Sequence, residues 1–395
     1  MYSKLTNLPK PLKIAIVHPN MFTVGGAEKL ITWFSEELVS QGHQVAIITK
    51  YPPKHIHPNV QVIKFDIDLN ALNWYFTVKK LAKELNEYDI INTHNFPSSL
   101  FGYWIKKKNR SSKLIWYCHE PFDVFYGKTL IEANDLLKNK WKKSKIKYIQ
   151  ENISIKLDKN AVKNHDFILC NSKRTNIFTK QLFNVNNCDT LYPGLPEKYF
   201  SKDETNKKNY EKEIKLIVIS RLFKVKNIIT IIKVFQELIK KNEHFTLKIV
   251  GEGDQKKSLL QYIKKNRLEN KINMLGNVSE EELLKLYSES FLTINIPNNE
   301  PFGLITLESL AHGVPIILSK DSGSAEILSH RKSGILITPN NESEIFNEIL
   351  SLTKNKHDYI RISESGKKLI KENYTIKKFT KEFFSFVSRE TLNND

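Results

Sequence analysis

The sequence predicts an α/β protein made of two successive units, each a parallel sheet covered by helices. Three observations predict it. Short apolar runs recur along the chain, each followed by a loop and a helical stretch, and that alternation calls for parallel strands. At 395 residues the chain is too long for one ordinary core. A polar stretch without periodicity, Ser201–Lys212, separates two sets of elements of similar size.

The first set opens with Leu12–Val17, an apolar run stopped by His18-Pro19. A loop carrying Gly25-Gly26 leads into a helix that reaches about Ser40, Gly42-His43 breaks it, and Gln44–Thr49 is the next strand. Strands follow at 61–65, Ile90–Thr93, Lys113–Cys118 and Phe167–Cys170, with helical stretches such as 71–87 between them. After Tyr192–Pro196 and the polar linker, the second set runs through strand Ile214–Ser220, helix 227–241, strand Thr246–Val250, helix 255–266 and strand Ile272–Leu275. Strand Phe291–Ile296, helix 304–311 and strand Pro315–Leu318 complete it. The tail, Thr375–Arg389, spaces Phe379, Phe383, Phe384 and Val387 as one face of a helix that packs back on the body. The predicted domains are therefore 1–195 and 196–374, with a returning helix in 375–395.

Composition narrows the class. An apolar content of 40% suffices for globular folding. No amino-terminal leader pattern is apparent, and no apolar run approaches the roughly 20 residues that cross a membrane, so a cytoplasmic protein is expected. Three widely spaced cysteines, Cys118, Cys170 and Cys188, argue against a disulfide framework or a zinc site. The net charge is +18, and residues 1–195 hold 28 Lys+Arg against 16 Asp+Glu. Within 102–147 there are 12 basic and 4 acidic residues interleaved with Tyr103, Trp104, Phe122, Phe125, Tyr126 and Trp141. Such a segment suits anionic lipid headgroups, nucleic acid or an anionic substrate; Lys-rich solvated surface is the plainer reading.

Several loops carry chemistry. Glu300 and Glu308 are separated by seven residues in Glu300-Pro301-Phe302-Gly303-Leu304-Ile305-Thr306-Leu307-Glu308, a loop that runs into a helix. Both carboxylates can face the space ahead of the helix N-terminus, where backbone N–H groups favour an anion. A ligand with both phosphate and hydroxyls, such as a sugar nucleotide, fits there. Arg221 and Lys226 follow strand Ile214–Ser220, at the end of the strand where open α/β sheets bind ligands, and two fixed cations can stabilise a departing diphosphate without a metal. Gly251-Glu252-Gly253-Asp254 looks like a second ligand-facing loop. Gly25 and Gly26 allow close approach to a phosphate or sugar, although the dinucleotide fingerprint is absent. His119, in Cys118-His119-Glu120-Pro121, stands at a strand's carboxyl end, placed to face a cleft or to serve as an ordinary core histidine. Asp66-Ile67-Asp68 reads as a loop or helix cap and not as a metal site.

Taken in order, these pieces resemble the family 4 retaining glycosyltransferases, the group 1 type with the GT-B fold. The elements are Gly25-Gly26-Ala27-Glu28, Gly42-His43, residues 118–121, Asn171-Ser172, Pro193-Gly194, Ser220-Arg221-Leu222 with Lys226-Asn227, Val250–Gly253, the Glu300/Glu308 pair, Gly323 with Glu326, and Gly334. The resemblance implies two Rossmann-like domains with an interdomain cleft, the amino-terminal one for the acceptor and the carboxy-terminal one for the donor. It implies that Arg221 and Lys226 hold the diphosphate with the amides of Gly303, Leu304 and Ile305 and the backbone at Gly25-Gly26. It further implies ribose hydroxyls on Glu308, the transferred sugar's hydroxyls on Glu300, the base near the Val278 backbone, and His119 at the sugar and acceptor. The chemistry implied is front-face transfer with retention, in which the leaving phosphate helps deprotonate the acceptor and neither metal nor cofactor is needed. Ser324-Ala325 departs from the pattern, where many relatives have a second glycine or a bulkier residue.

The expected activity is hexose transfer from a UDP- or GDP-sugar to a lipid-linked or glycan acceptor, with no nucleic-acid partner. The basic segment 102–147 would dock on anionic membrane at its inner face. The alternatives are a basic nucleic-acid-binding module, against which the absence of recognition motifs counts, and a sugar-nucleotide epimerase or a phosphorylase of the same fold.

Overall fold

The computed structural model describes residues 11–22, 25–65, 79–108, 111–121, 145–200 and 213–388. The chain divides into two compact units, Met1–Pro193 together with Ile376–Asp395, and Gly194–Thr375. The linker Ser201–Lys212, Asp66-Ile67-Asp68 and residues 71–78 of the expected helix 71–87 lie outside the described residues; of its described part, 79–84 are helical.

In the first unit the described strands are β1 (Lys13–Val17), β2 (Gln44–Thr49), β3 (Val60–Lys64), β4 (Ile90–His94), β5 (Lys113–Cys118), β6 (Phe167–Cys170) and β7 (Cys188–Thr190). They form one sheet in the order β3-β2-β1-β4-β5-β6-β7, with every pair parallel. β1, β2, β5 and β6 are buried almost throughout, as strands covered on both faces are, and so they appear in the sequence as apolar runs. Ile14–Val17 and Ala46–Ile48 are fully buried.

Helix α1 (Gly26–Ser40) joins β1 to β2. Its first turn is closed by Glu28, whose carboxylate accepts from the Gly25 N–H at 2.8 Å, satisfying one of the donors a helix start leaves open. Further along lie α2 (Ser98–Lys108), α3 (Lys145–Lys163) and α4 (Lys173–Phe183). The tail helix, here α11 (Ile376–Ser388), belongs to this unit: Phe379 and Phe383 meet Phe34 of α1 edge-on, with ring centroids 5.1 and 4.9 Å apart. Aromatic pairs in that geometry add about 1 kcal/mol each beyond area burial.

The second unit repeats the plan. Strands β8 (Ile214–Ile219), β9 (Phe245–Val250), β10 (Ile272–Gly276), β11 (Leu292–Asn295), β12 (Ile316–Ser319) and β13 (Ile335–Ile337) form a parallel sheet ordered β10-β9-β8-β11-β12-β13. Helix α5 (Ile228–Lys241) buries Ile228, Ile231, Ile232, Phe235 and Leu238, the i, i+3, i+4, i+7 stripe that a helix needs to cover a sheet. Then come α6 (Lys256–Lys265), α7 (Glu280–Glu289), α8 (Ile305–Ala311), α9 (Glu342–Lys354) and α10 (Lys356–Asn373).

Each sheet reverses its winding once, between β1 and β4 and between β8 and β11. At such a point the connecting loops leave in opposite directions and open a crevice beyond the carboxyl ends of the strands. Most of the candidate site residues lie near those two places.

Candidate functional site

At the reversal of the second sheet, β8 leads into Ser220-Arg221 and β11 into the loop that carries Glu300. Lys226 Nζ donates to the Glu300 carboxylate, with side-chain exposures of 13% and 18%. The two loops are fastened together behind that pair: Asn298 N–H donates to Val225 O at 2.8 Å and Asn227 Nδ2 to Ile296 O at 2.9 Å. Arg221 is exposed, its guanidinium 5.3 Å from the Phe223 ring centroid, and it makes no ion pair among the described residues. The site thus holds one compensated cation and one uncompensated one.

Gly303 takes φ +88°, a conformation L side chains rarely adopt, and turns the chain from Pro301-Phe302 into α8. Among the described residues the backbone N–H groups of Gly303, Leu304 and Ile305 have no acceptor, as expected at a helix start. The turn rests on a serine shelf: Ser322 Oγ donates to Phe302 O at 2.8 Å, Ser324 N–H to the same oxygen at 3.0 Å, and Ser324 Oγ lies 2.7 Å from Thr306 Oγ1. Ser324, noted in the sequence only as a departure, is fully buried and positions this loop.

Glu308 lies deeper than Glu300, although the sequence leaves both carboxylates able to face the space ahead of the helix. It is only 1% exposed and lies in α8, where Tyr287 Oη of α7 donates to its Oε2 at 3.0 Å. Burial, then the Glu308 carboxylate, push the Tyr287 hydroxyl well above its ordinary range, so it stays a donor. The His312 ring stacks on Tyr287 at 5.2 Å and reaches back to Glu308 O at 2.8 Å. Glu300 is therefore a partly exposed carboxylate paired with Lys226, and Glu308 an anchored, enclosed one.

Val278 follows β10 and packs with Ile217, Val250 and Leu286. The loop at Gly251–Asp254 has a structural reason for its glycines. Gly251 sits at φ +126°, and a Cβ there would come within 1.9 Å of Ser220 O. At Gly253 a Cβ would lie 2.5 Å from Leu222 O. These glycines let the end of β9 pack against the backbone that presents Arg221.

The first unit places a different chemistry at its reversal. His119, after β5, meets His94, the last residue of β4, with His94 Nδ1 and His119 Nε2 2.9 Å apart. Asn92 Nδ2 stands 3.0 Å from His94 Nε2. The His119 backbone is pinned on both sides, its N–H by Asn95 Oδ1 at 3.2 Å and its carbonyl by Asn171 Nδ2 at 2.8 Å. His18, after β1, lies with its Nε2 3.6 Å from Glu28 Oε1. Burial is the leading cause that lowers all three rings, His18 to about 4, His119 to about 3 and His94 well below the usual range. All are neutral at pH 7. Gly25 and Gly26 sit at the start of α1, beside Glu28. The sequence leaves His18 and His94 unmarked as site residues; the available signal is that each stands at the carboxyl end of a strand.

Among the described residues no group of three or more His, Cys, Asp and Glu side chains is placed to hold a metal ion, and no helix is long and apolar enough to cross a membrane. Cys118, Cys170 and Cys188 are free and buried. Much of the basic segment 102–147 falls outside the described residues. In its described part Lys107 lies 4.7 Å from the ring centroids of both Tyr103 and Trp104, and Lys106 pairs with Asp166.

Comparison with known proteins adds the following. Residues 24–198 match the family model described as Glycosyltransferase Family 4, and residues 200–369 match that described as Glycosyl transferases group 1. An uncharacterised glycosyltransferase of Methanocaldococcus jannaschii is 28% identical over 361 residues, covering 88% of this chain and 85% of the relative. The N-acetyl-alpha-D-glucosaminyl L-malate synthase of Bacillus anthracis is 24% identical over 391 residues, covering 94% and 95%. Among solved structures, Anabaena Alr3699/HepE in complex with UDP superposes with a TM-score of 0.77 at 16% identity, covering 95% of this chain and all of that one.

Proposed function

Since this chain belongs to the group 1, family 4 glycosyltransferases, we propose that its second unit binds a UDP-sugar and its first unit the acceptor alcohol. The observation that carries the reading is the Arg221, Lys226 and Glu300 cluster at the reversal of the second sheet. Its charges suit a diphosphate attached to a polyhydroxylated group. UDP in the Anabaena relative supports the uridine base.

In this proposal Arg221 and the amides of Gly303, Leu304 and Ile305 take the diphosphate. Lys226 exchanges its bond to Glu300 for one to phosphate, and the released Glu300 carboxylate accepts from the hydroxyls of the transferred hexose. Glu308, oriented by Tyr287, accepts from the ribose hydroxyls, and the Val278 backbone lies at the base. As the glycosidic bond breaks, negative charge builds on the leaving diphosphate, where fixed cations lower the barrier. That phosphate takes the acceptor proton, so transfer retains the anomeric configuration without a protein nucleophile or a metal. In the first unit Gly26 offers its backbone N–H beside Gly25, whose own N–H is held by Glu28, and His119 meets the sugar and acceptor. The acceptor is a lipid-linked or glycan alcohol, reached by docking of the basic segment 102–147 on anionic membrane.

Early-time NMR of the sugar released from α-linked UDP- and GDP-hexoses, with water as surrogate acceptor, tests the chemistry. Release of the α-anomer first, from the UDP-sugar and undiminished by EDTA, is expected. Release of the β-anomer first contradicts retention, a loss with EDTA contradicts metal independence, and preference for the GDP-sugar changes the base. Co-sedimentation with anionic vesicles tests docking; retention by neutral vesicles alone, or no effect of changing Lys142, Lys143 and Lys145 to Glu, contradicts it.

A further inference from the structure

Asn92, His94 and His119 form a row of side-chain contacts at the carboxyl ends of β4 and β5. Asn92 Nδ2 lies 3.0 Å from His94 Nε2, and His94 Nδ1 lies 2.9 Å from His119 Nε2. Each contact needs one proton, and a neutral imidazole carries one. Two arrangements satisfy that count. In the first the Asn92 amide donates to His94 Nε2, His94 Nδ1–H donates to His119 Nε2, and His119 keeps its own proton on Nδ1. In the second the amide is turned over, each proton moves one place, and His119 Nδ1 is a bare lone pair.

The orientation of the amide decides between them. Asn92 is 1% exposed and directs Nδ2, not Oδ1, at His94 Nε2, which is the first arrangement. Its Oδ1 has no hydrogen-bond partner among the described residues, and buried carbonyls are left under-satisfied more often than buried N–H groups are left unpaired. The surroundings add no pull the other way. Tyr117 packs on His119 through its ring edge, at 4.8 Å between centroids, and donates its hydroxyl to Leu191 O at 2.8 Å. His18 directs Nδ1 at the Asn20 N–H, 3.3 Å away, which leaves its proton on Nε2, on the side of Glu28.

We propose that Asn92 and His94 are positioning residues that lock His119 in its Nδ1–H tautomer, so that His119 meets substrate as a neutral hydrogen-bond donor and never as a base. This deepens the reading above and rests on it for the statement that His119 faces substrate. Depressed basicity of both rings agrees with it. It also fits chemistry in which the leaving phosphate, not a side chain, takes the acceptor proton.

Long-range 1H–15N NMR of the histidine-labelled full chain reads the tautomer without any turnover, so its outcome is independent of the glycosyltransfer reading. Wild-type protein is expected to show His119 protonated on Nδ1 at neutral pH. Asn92→Asp presents only acceptors to His94 Nε2, so it should draw the His94 proton there and move the His119 proton to Nε2. A wild-type signal from an Nε2–H His119 overturns the proposal, and this arm stands even if the variant fails to fold. Activity supplies a second readout. The His119→Asn amide reproduces the Nδ1 donor and should hold turnover within about tenfold, whereas His119→Gln, which reproduces Nε2, should lose about 10²-fold, as for a removed transition-state donor. Equal losses in the two variants overturn the donor role.

Discussion

The two sheet reversals share a topology and differ in chemistry. The first gathers buried His18 and His94 with half-buried His119, all uncharged; the second gathers Arg221, Lys226 and Glu300, charged and partly open. The same strand order therefore fixes where a site lies and leaves its character to the residues that close each strand. A charged cluster suits a diphosphate. A neutral one suits alcohols, whose hydroxyls need donors and acceptors and no net charge.

The contrast is tested most severely by removing a cation. Arg221→Ala or Lys226→Ala should cut turnover by about 10²–10³-fold, the scale for losing a group that stabilises transition-state charge, while His119→Ala should leave UDP affinity unchanged within twofold. Steady-state kinetics paired with UDP titration separates these effects. Next in size is the scaffold behind Arg221. Gly251→Ala forces a Cβ against Ser220 O at a positive φ, and should cost about 2–4 kcal/mol of stability; urea denaturation followed by circular dichroism measures it.

Acid should separate the units. His18, His119 and His165 of the first unit titrate at about 4, 3 and 4 in the folded chain, each lowered chiefly by burial, against about 6.5 when unfolded. Between those values the unfolded chain binds protons that the folded chain refuses. Stability is therefore full above about pH 6.5 and falls as the pH drops toward 4. All five tryptophans lie in residues 1–193, so tryptophan fluorescence reports that unit alone. Its thermal transition should fall on going from pH 7 to pH 5 by more than the ellipticity transition of the second unit. The smallest effect expected is for Tyr287→Phe, which removes one hydrogen bond to Glu308 and should weaken UDP binding by about 1 kcal/mol; calorimetry detects a shift of that size.

Most of the sheet framework could be read from the chain because strands buried on both faces are written as unbroken apolar runs. β2, β5 and β6 begin and end where the sequence put them. Helices α9 and α10 escaped notice because few apolar residues, such as Ile345, Ile349, Ile362 and Ile370, carry their packing amid a polar background. At the second reversal the proximity of Lys226 and Glu300 was foreshadowed by strand ends. The burial of Glu308 was not, since it depends on Tyr287 arriving from another helix. Ser324 likewise gains its role only once the turn at Gly303 brings Thr306 and Phe302 over it. The histidine row was hidden for the same reason: Asn92 and His94 are two apart on one strand, and only pairing with β5 brings His119 to them.

Calorimetric titration of UDP into wild type, Arg221→Ala, Glu308→Ala and His119→Ala addresses the central assignment most directly. Binding is expected to wild type and to His119→Ala, and binding weakened at least tenfold in the other two. Equal affinity in all four, or loss only in His119→Ala, would contradict the placement of the donor on the second unit.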